Sequence, residues 1–264
     1  MLDGAASRRD ILQFLAGGVA LAFGAGPALA SEKHIERLIQ EARDMPRISQ
    51  RIDFISAALR GTRYQSYTLI GGLRRPEKFV LRDDAFDCVT FCETVLAAAR
   101  ARDIDEFEIT LQAIRYRSSF VNWFERNHYF FEWCQHNVEN KTCRWISMDG
   151  AVNIEKTVDS QKGLSKRKFS MRVIPSAVFL AHKALLEGGD IVGFVSRRPN
   201  LDYFHAGFVA FACDRTLLLR HASKSWHRVL DERMDGFAAQ NRVRYVTLLR
   251  PKQPAAAVAV KNAI

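Results

Sequence analysis

Cys88 is the residue of this 264-residue chain best placed to act as a nucleophile. It stands in Phe86-Asp87-Cys88-Val89-Thr90-Phe91-Cys92-Glu93, and the Ala-, Val- and Leu-rich run that follows predicts a helix over 87–102 capped by Asp87 or Asp84. The thiol then falls in the first turn. Unpaired N–H groups and the partial positive charge of a helix start favour a thiolate over a thiol. Most free cysteines are inert buried thiols, so the assignment needs a base. His205, in Asp202-Tyr203-Phe204-His205-Ala206-Gly207-Phe208-Val209, heads a predicted strand over 204–213. A base on a sheet facing a nucleophile on a helix end is what a cysteine hydrolase needs. His221 follows in Leu219-Arg220-His221-Ala222-Ser223, at the end of a strand over 216–220. A turn near 213–215 makes the two strands antiparallel neighbours, so His221 can orient the imidazole of His205; Ser223 is the alternative third member.

Other polar clusters carry less. His128 is a candidate substrate ligand or rival base, but a strand-borne histidine with a polar partner suits the chemistry better. Cys88 and Cys92 lack the second ligand pair of a structural zinc site, and no glycine-rich phosphate loop is present, so neither metal nor cofactor is expected. Cys134 and Cys143, nine residues apart, could close a disulfide in an oxidising compartment. The aromatic group Phe120, Trp123, Phe124, Tyr129, Phe130, Phe131 and Trp133 reads as core and cleft wall.

These residues must be held by the elements around them. Helical spacing predicts helices over 32–44, 48–59, 103–116 and 176–186, beside the one that starts at Cys88. From 126 to 168 periodicity fades, and 155–168 reads as a polar surface excursion. Apolar runs at 191–195, 204–213, 216–220 and 243–249 predict strands of one antiparallel sheet. Helices first and strands later is the α+β pattern, in one domain over 31–250 with a loose tail over 251–264.

Location narrows the partners. Ser7-Arg8-Arg9-Asp10-Ile11-Leu12-Gln13, an apolar run over 14–25 and Ala28-Leu29-Ala30 predict a twin-arginine-type export signal over residues 1–30, cleaved after Ala30. The apolar run is too short to span a bilayer, so no stable span remains after cleavage. Cleavage removes Arg8, Arg9, Asp3 and Asp10, leaving the net charge of +10 unchanged. A basic protein outside the cytoplasm, in the periplasm or a similar space, meets cell-wall carboxylates rather than nucleic acid.

The order of Cys at a helix start, Gly-Asp before a strand, His-x-Gly-Phe-Val and then His-Ala-Ser resembles the NlpC-type, papain-like cell-wall peptidases. Gly-Thr-x-Tyr (61–64), Phe-Asp-Cys-Val-Thr-Phe-x-Glu (86–93), Ile-Arg-Tyr-Arg (114–117), Arg-Asn-His-Tyr-Phe (126–130), Ile-Pro (174–175), Gly-Asp-Ile-Val (189–192) and His-Ala-Ser (221–223) resemble, within that superfamily, the N-acetylmuramoyl-L-alanine amidase-like family. The resemblance implies a papain-like NlpC-type fold, with N-terminal helices and a nucleophile at a helix N-terminus packed on a C-terminal antiparallel sheet. It implies Cys88 as nucleophile, His205 as base and His221 as orienting residue, with Tyr64, Asp87, Arg126, His128 and Ser223 as substrate-binding residues. It further implies a monomeric amidohydrolase of peptidoglycan or muropeptides, cutting the muramoyl–L-alanine bond or, alternatively, the bond from D-glutamate to the diamino acid. A non-catalytic wall-binding protein and a papain-like acyltransferase are readings from other classes. Arg63 stands where the family often has Pro, and Cys92 where Val is more usual.

Overall fold

The computed structural model describes residues 27–159, 161 and 163–254. The expected export segment lies outside the described residues except for its last four. Helices α1 (Pro27–Ala42) and α2 (Ile48–Ala58) lead into four short strands, β1 (Arg63–Tyr64), β2 (Ile70–Gly72), β3 (Arg75–Lys78) and β4 (Ala85–Phe86). Three helices follow, α3 (Cys88–Arg100), α4 (Ile104–Arg115) and α5 (Phe130–Glu139). Strands β5 (Cys143–Ile146), β6 (Val152–Val158) and β7 (Arg167–Pro175), helix α6 (Ser176–Ala181), and strands β8 (Ile191–Val195), β9 (Tyr203–Phe211), β10 (Leu217–Ser223) and β11 (Arg228–Arg233) come next. Helix α7 (Met234–Gln240) and strand β12 (Tyr245–Pro251) complete the fold.

Ten strands make one sheet in the order β4-β1-β11-β10-β9-β8-β12-β7-β6, with β5 paired to β12 beside β7; β2 and β3 form a separate hairpin. Every pairing in the sheet is antiparallel except β1 with β4. That parallel pair sets Tyr64 beside Phe86, two residues before Cys88.

Helix α3 is buried along nearly its whole length, from Thr90 to Ala99. A helix apolar on all sides belongs inside the core. There Phe91 meets Phe208 of β9 edge to face, with ring centroids 5.7 Å apart. Glu93 is the charged exception, and it is matched: Arg115 of α4 reaches its carboxylate at 2.8 Å and donates to the Val80 carbonyl at 2.8 Å. A second apolar cluster joins α6 and α7 to the sheet through Phe179, Phe194 and Phe237. No described helix is long and apolar enough to cross a membrane.

The mixed α+β class holds, but strands β1 to β4 precede α3, helices α6 and α7 fall among the later strands, α5 lies in the stretch where periodicity fades, and three further differences stand out. Residues 155–168, expected as a surface excursion, lie partly in the β6–β7 hairpin, which pairs from Val152↔Val173 to Val158↔Arg167. In β6 Val152, Ile154 and Val158 alternate with polar residues, but Lys156 interrupts the pattern and most of the strand is exposed. Strand β11 and helix α7 were not expected at all. Third, β12 runs through Pro251, and Gln253 accepts the Ile48 N–H at 2.9 Å and donates to the Pro46 carbonyl, so residues 251–253 of the expected loose tail are tied to the start of α2, while 255–264 lie outside the described residues.

Candidate active site

The start of α3 is built by Asp87. Its Oδ1 accepts the N–H groups of Val89 at 3.0 Å and Thr90 at 2.8 Å, while the Asp87 N–H donates to Thr90 Oγ1 at 3.0 Å. This reciprocal cap fixes Cys88 as the first helical residue. It also occupies two of the donors that a bare helix start would offer. The Cys88 N–H has no partner among the described backbone hydrogen bonds.

Opposite the thiol, the ladder between β9 and β10 runs from Leu217↔Phe211 to Arg220↔Phe208 and then opens. The Ala206 N–H lies beyond the last pair and reaches the Cys88 sulfur. At the same opening His205 Nε2 lies 2.5 Å from His221 Nδ1. Gly207 lets the strands close there, since a Cβ at that position would sit 2.8 Å from the Arg220 carbonyl oxygen and 2.9 Å from His221 Cβ. The ring of Phe237 flanks both imidazoles, 5.4 Å from each. His221 is fully enclosed, and its Nε2 lies 2.7 Å from Glu232 Oε2 on β11.

Electrostatics depart from the expectation of a depressed thiol. Burial, and then the charge of Asp87, push the Cys88 thiol up to about 12. Burial and the neighbouring His221 lower His205, and burial also lowers His221 against the opposing pull of Glu232. At neutral pH these shifts favour the neutral forms of the thiol and of the imidazole. The N–H groups of Ala206, Cys88 and Val89 pull the thiol down, but desolvation and the Asp87 charge outweigh them. Asp87→Asn keeps an acceptor for the cap and removes the negative charge, so the pH midpoint of Cys88 alkylation by iodoacetamide is expected to fall. An unchanged midpoint would show that the Asp87 charge does not act on the thiol.

Cys88 opens onto a cavity of about 990 Å³ whose wall includes Tyr64, Asp87, Arg126 and His128. Burial raises the Tyr64 phenol, and Ser66 Oγ donates to its oxygen at 3.2 Å, so the phenolic hydrogen is left for another acceptor. Arg126 is held by Glu77 at 2.9 Å, with Tyr116 donating to the same Glu77 oxygen. His128 Nε2 lies 2.6 Å from the Trp123 carbonyl, and burial lowers it to about 4. A ring so hard to protonate is a poor general base near neutral pH. Ser223 is not in the cavity wall: it is buried at the end of β10, where its Oγ accepts the Trp226 N–H at 3.3 Å.

Cys134 and Cys143 are buried free thiols, as is Cys92. Sequence reasoning missed Glu232, because its strand went unread, and the exposed Arg74 and Arg75 of the β2–β3 hairpin, which line the cavity. The pair of adjacent arginines after Gly71-Gly72 was the available signal for the latter.

No curated protein matches this sequence. Among solved structures, a Legionella pneumophila protein superposes with a TM-score of 0.72 at 20% identity, covering 86% of this chain and 98% of its own. An N-acetylmuramoyl-L-alanine amidase from Bacteroides uniformis gives 0.68 at 23%, covering 78% and 99%. A putative xylanase from Bacteroides fragilis gives 0.60 at 21%, covering 74% and 98%. At such identities the likeness is one of fold. The AmiA-like family model matches residues 54–243, a span that holds Cys88, His205, His221 and Glu232. With the greater part of its length matched, the chain belongs to the N-acetylmuramoyl-L-alanine amidase-like family.

Proposed function

We propose that the protein is an exported, monomeric cysteine amidohydrolase of the papain-like NlpC type, with one catalytic domain beginning near residue 31, that cleaves the bond between the muramic acid lactyl group and L-alanine in peptidoglycan or muropeptides. The observation that carries the reading is the hydrogen-bonded pair of His205 and His221 at the strand opening where the Cys88 sulfur meets Ala206.

In this reading His205 takes the thiol proton as the sulfur attacks the amide carbonyl, so that no charged pair need pre-exist in the free site. The oxyanion receives the Cys88 N–H and the Tyr64 hydroxyl, rather than the two helix-start N–H groups, of Val89 and Thr90, that donate to Asp87. His205 returns its proton to the leaving amine, the C–N bond breaks, and a thioester remains on Cys88. Water, deprotonated by His205, then releases the acid and restores the thiol. Arg74 and Arg75 at the cavity mouth suit the carboxylates of the stem peptide. Those two cations also favour a second reading, cleavage between D-glutamate and the diamino acid, where a free carboxylate borders the cut bond.

Mass spectrometry of a defined muropeptide digest tests the bond. A peptide beginning at L-alanine and a sugar carrying a free lactyl carboxylate are expected; a diamino acid with a new amino terminus would support the second reading and overturn the first. The pH profile tests the mechanism. Protonating His205 removes the base, and its lowered position moves the acid limb of kcat/KM below the usual imidazole range, while the thiol limb lies toward 12. A broad plateau is expected in place of a narrow bell near neutrality. An acid limb at or above pH ~6.5, the unperturbed imidazole value, would contradict a neutral pair.

A further inference from the structure

We infer that Glu232 is a positioning residue for this chemistry: through its bond to His221 it fixes the tautomers of both histidines so that His205 presents an unprotonated nitrogen to Cys88. The inference rests on the cysteine mechanism proposed above.

An ionised carboxylate can only accept hydrogen bonds. Glu232 Oε2, 2.7 Å from His221 Nε2, therefore holds a proton on that nitrogen. A neutral His221 then has a bare Nδ1, which must accept from His205 Nε2 at 2.5 Å. A neutral His205 with its proton on Nε2 has a bare Nδ1, the nitrogen able to take a thiol proton. Each assignment forces the next. When the thiol proton moves to His205 Nδ1, the S–H bond breaks, the S–C bond to the substrate forms, and the Nε2–H of the resulting imidazolium still points at His221. No proton need pass to Glu232.

The groups around His221 leave this role to Glu232 alone. His205 approaches from β9 and the edge of Phe237 from α7. Asp231 is close in sequence and in charge, but Arg220 grips it with two bonds, Nε to Oδ1 at 2.7 Å and Nη2 to Oδ2 at 2.9 Å. Adjacent strand residues face opposite sides of a sheet, so Asp231 serves one side and Glu232 the other. The Glu232 side chain is 20% exposed and that of His221 1%, so the carboxylate ends the line at the surface while the His221 ring stays enclosed.

Without the carboxylate, His221 can carry its proton on Nδ1. It then donates to His205 Nε2 and drives the His205 proton to Nδ1, where it faces the thiol and blocks proton transfer. Glu232→Gln permits both arrangements, because an amide can accept or donate.

The experiment uses the full chain and a defined muropeptide substrate. For Glu232→Gln, kcat is expected to fall on the order of 10²-fold, less than the ~10⁴-fold seen when an acid touching the catalytic histidine itself becomes an amide. KM should stay within twofold, since Glu232 is not in the cavity wall. Histidine ¹⁵N spectra of the unmodified protein should give Nε2–H tautomers for both rings, with Nδ1–H appearing in the variant. A variant with kcat within twofold of the parent overturns the inference, as does an Nδ1–H tautomer of His221 in the parent; the second readout stands even if the variant fails to fold. Activity surviving in Cys88→Ala would instead remove the cysteine reading, while the spectra would still report whether Glu232 sets the tautomers.

Discussion

Cys88→Ala is expected to leave no measurable turnover on muropeptide while the protein keeps its fold. Removing a covalent nucleophile from a preorganised site costs on the order of 10⁶-fold in kcat. The helix start does not depend on the sulfur: the cap is made by Asp87 and Thr90, and the Cys88 side chain borders a cavity. Alanine removes the reacting atom with little repacking. The internal controls are Cys92→Ala, Cys134→Ala and Cys143→Ala, which should each retain most activity. These three thiols are buried in the core, where truncation costs about 1 kcal/mol of stability rather than a chemical step. Denaturation midpoints measured beside kcat/KM separate the two effects. Wild-type rates in Cys88→Ala would end the proposed mechanism.

The second large effect belongs to His205. In the proposed mechanism this ring carries a proton in both half-reactions, so His205→Ala should lose at least ~10²–10⁴-fold, the range of general acid–base catalysis. In the same mechanism His221 touches the base rather than the substrate. His221→Asn keeps an oxygen that can accept from His205 Nε2 and should lose least; His221→Ala keeps none and should fall between the other two. Measuring kcat/KM for the three variants on one substrate fixes the order. An active His205→Ala would transfer the base to another group, and a fully active His221→Ala would mean that the 2.5 Å contact has no part in catalysis.

Helices α2 and α4 were legible because their apolar residues repeat with the helical period, and α3 and the strands β8 to β10 because they are apolar runs. Asp87 as cap and the side-by-side placement of His205 and His221 followed from the same patterns and from a turn near Arg215, which does adopt positive φ. Three things were hidden. Strand β6 carries period two only at Val152, Ile154 and Val158, with Lys156 breaking the run inside a polar, basic stretch. Strand β11 places Asp231 and Glu232 against buried partners, and two successive acids in a sequence read as surface. The raised thiol was also invisible, because it depends on how completely the folded chain buries the sulfur beside Asp87.

Arg220 and His221 are consecutive residues pulled to opposite sides of β10. Arg220 bonds Asp231 on the neighbouring strand and both the side chain and the carbonyl of Asp53 in α2, while His221 bonds inward to His205 and Glu232. The strand is thus braced like a beam loaded equally from above and below, with no slack in which to tilt. Misplacing a catalytic group by about 1 Å can cost 10²-fold in rate. In the proposed mechanism the tolerance of the reaction is therefore set partly at Asp53, a residue of α2 bonded to the opposite side of β10, and the alignment of the imidazoles is tied to the docking of α2.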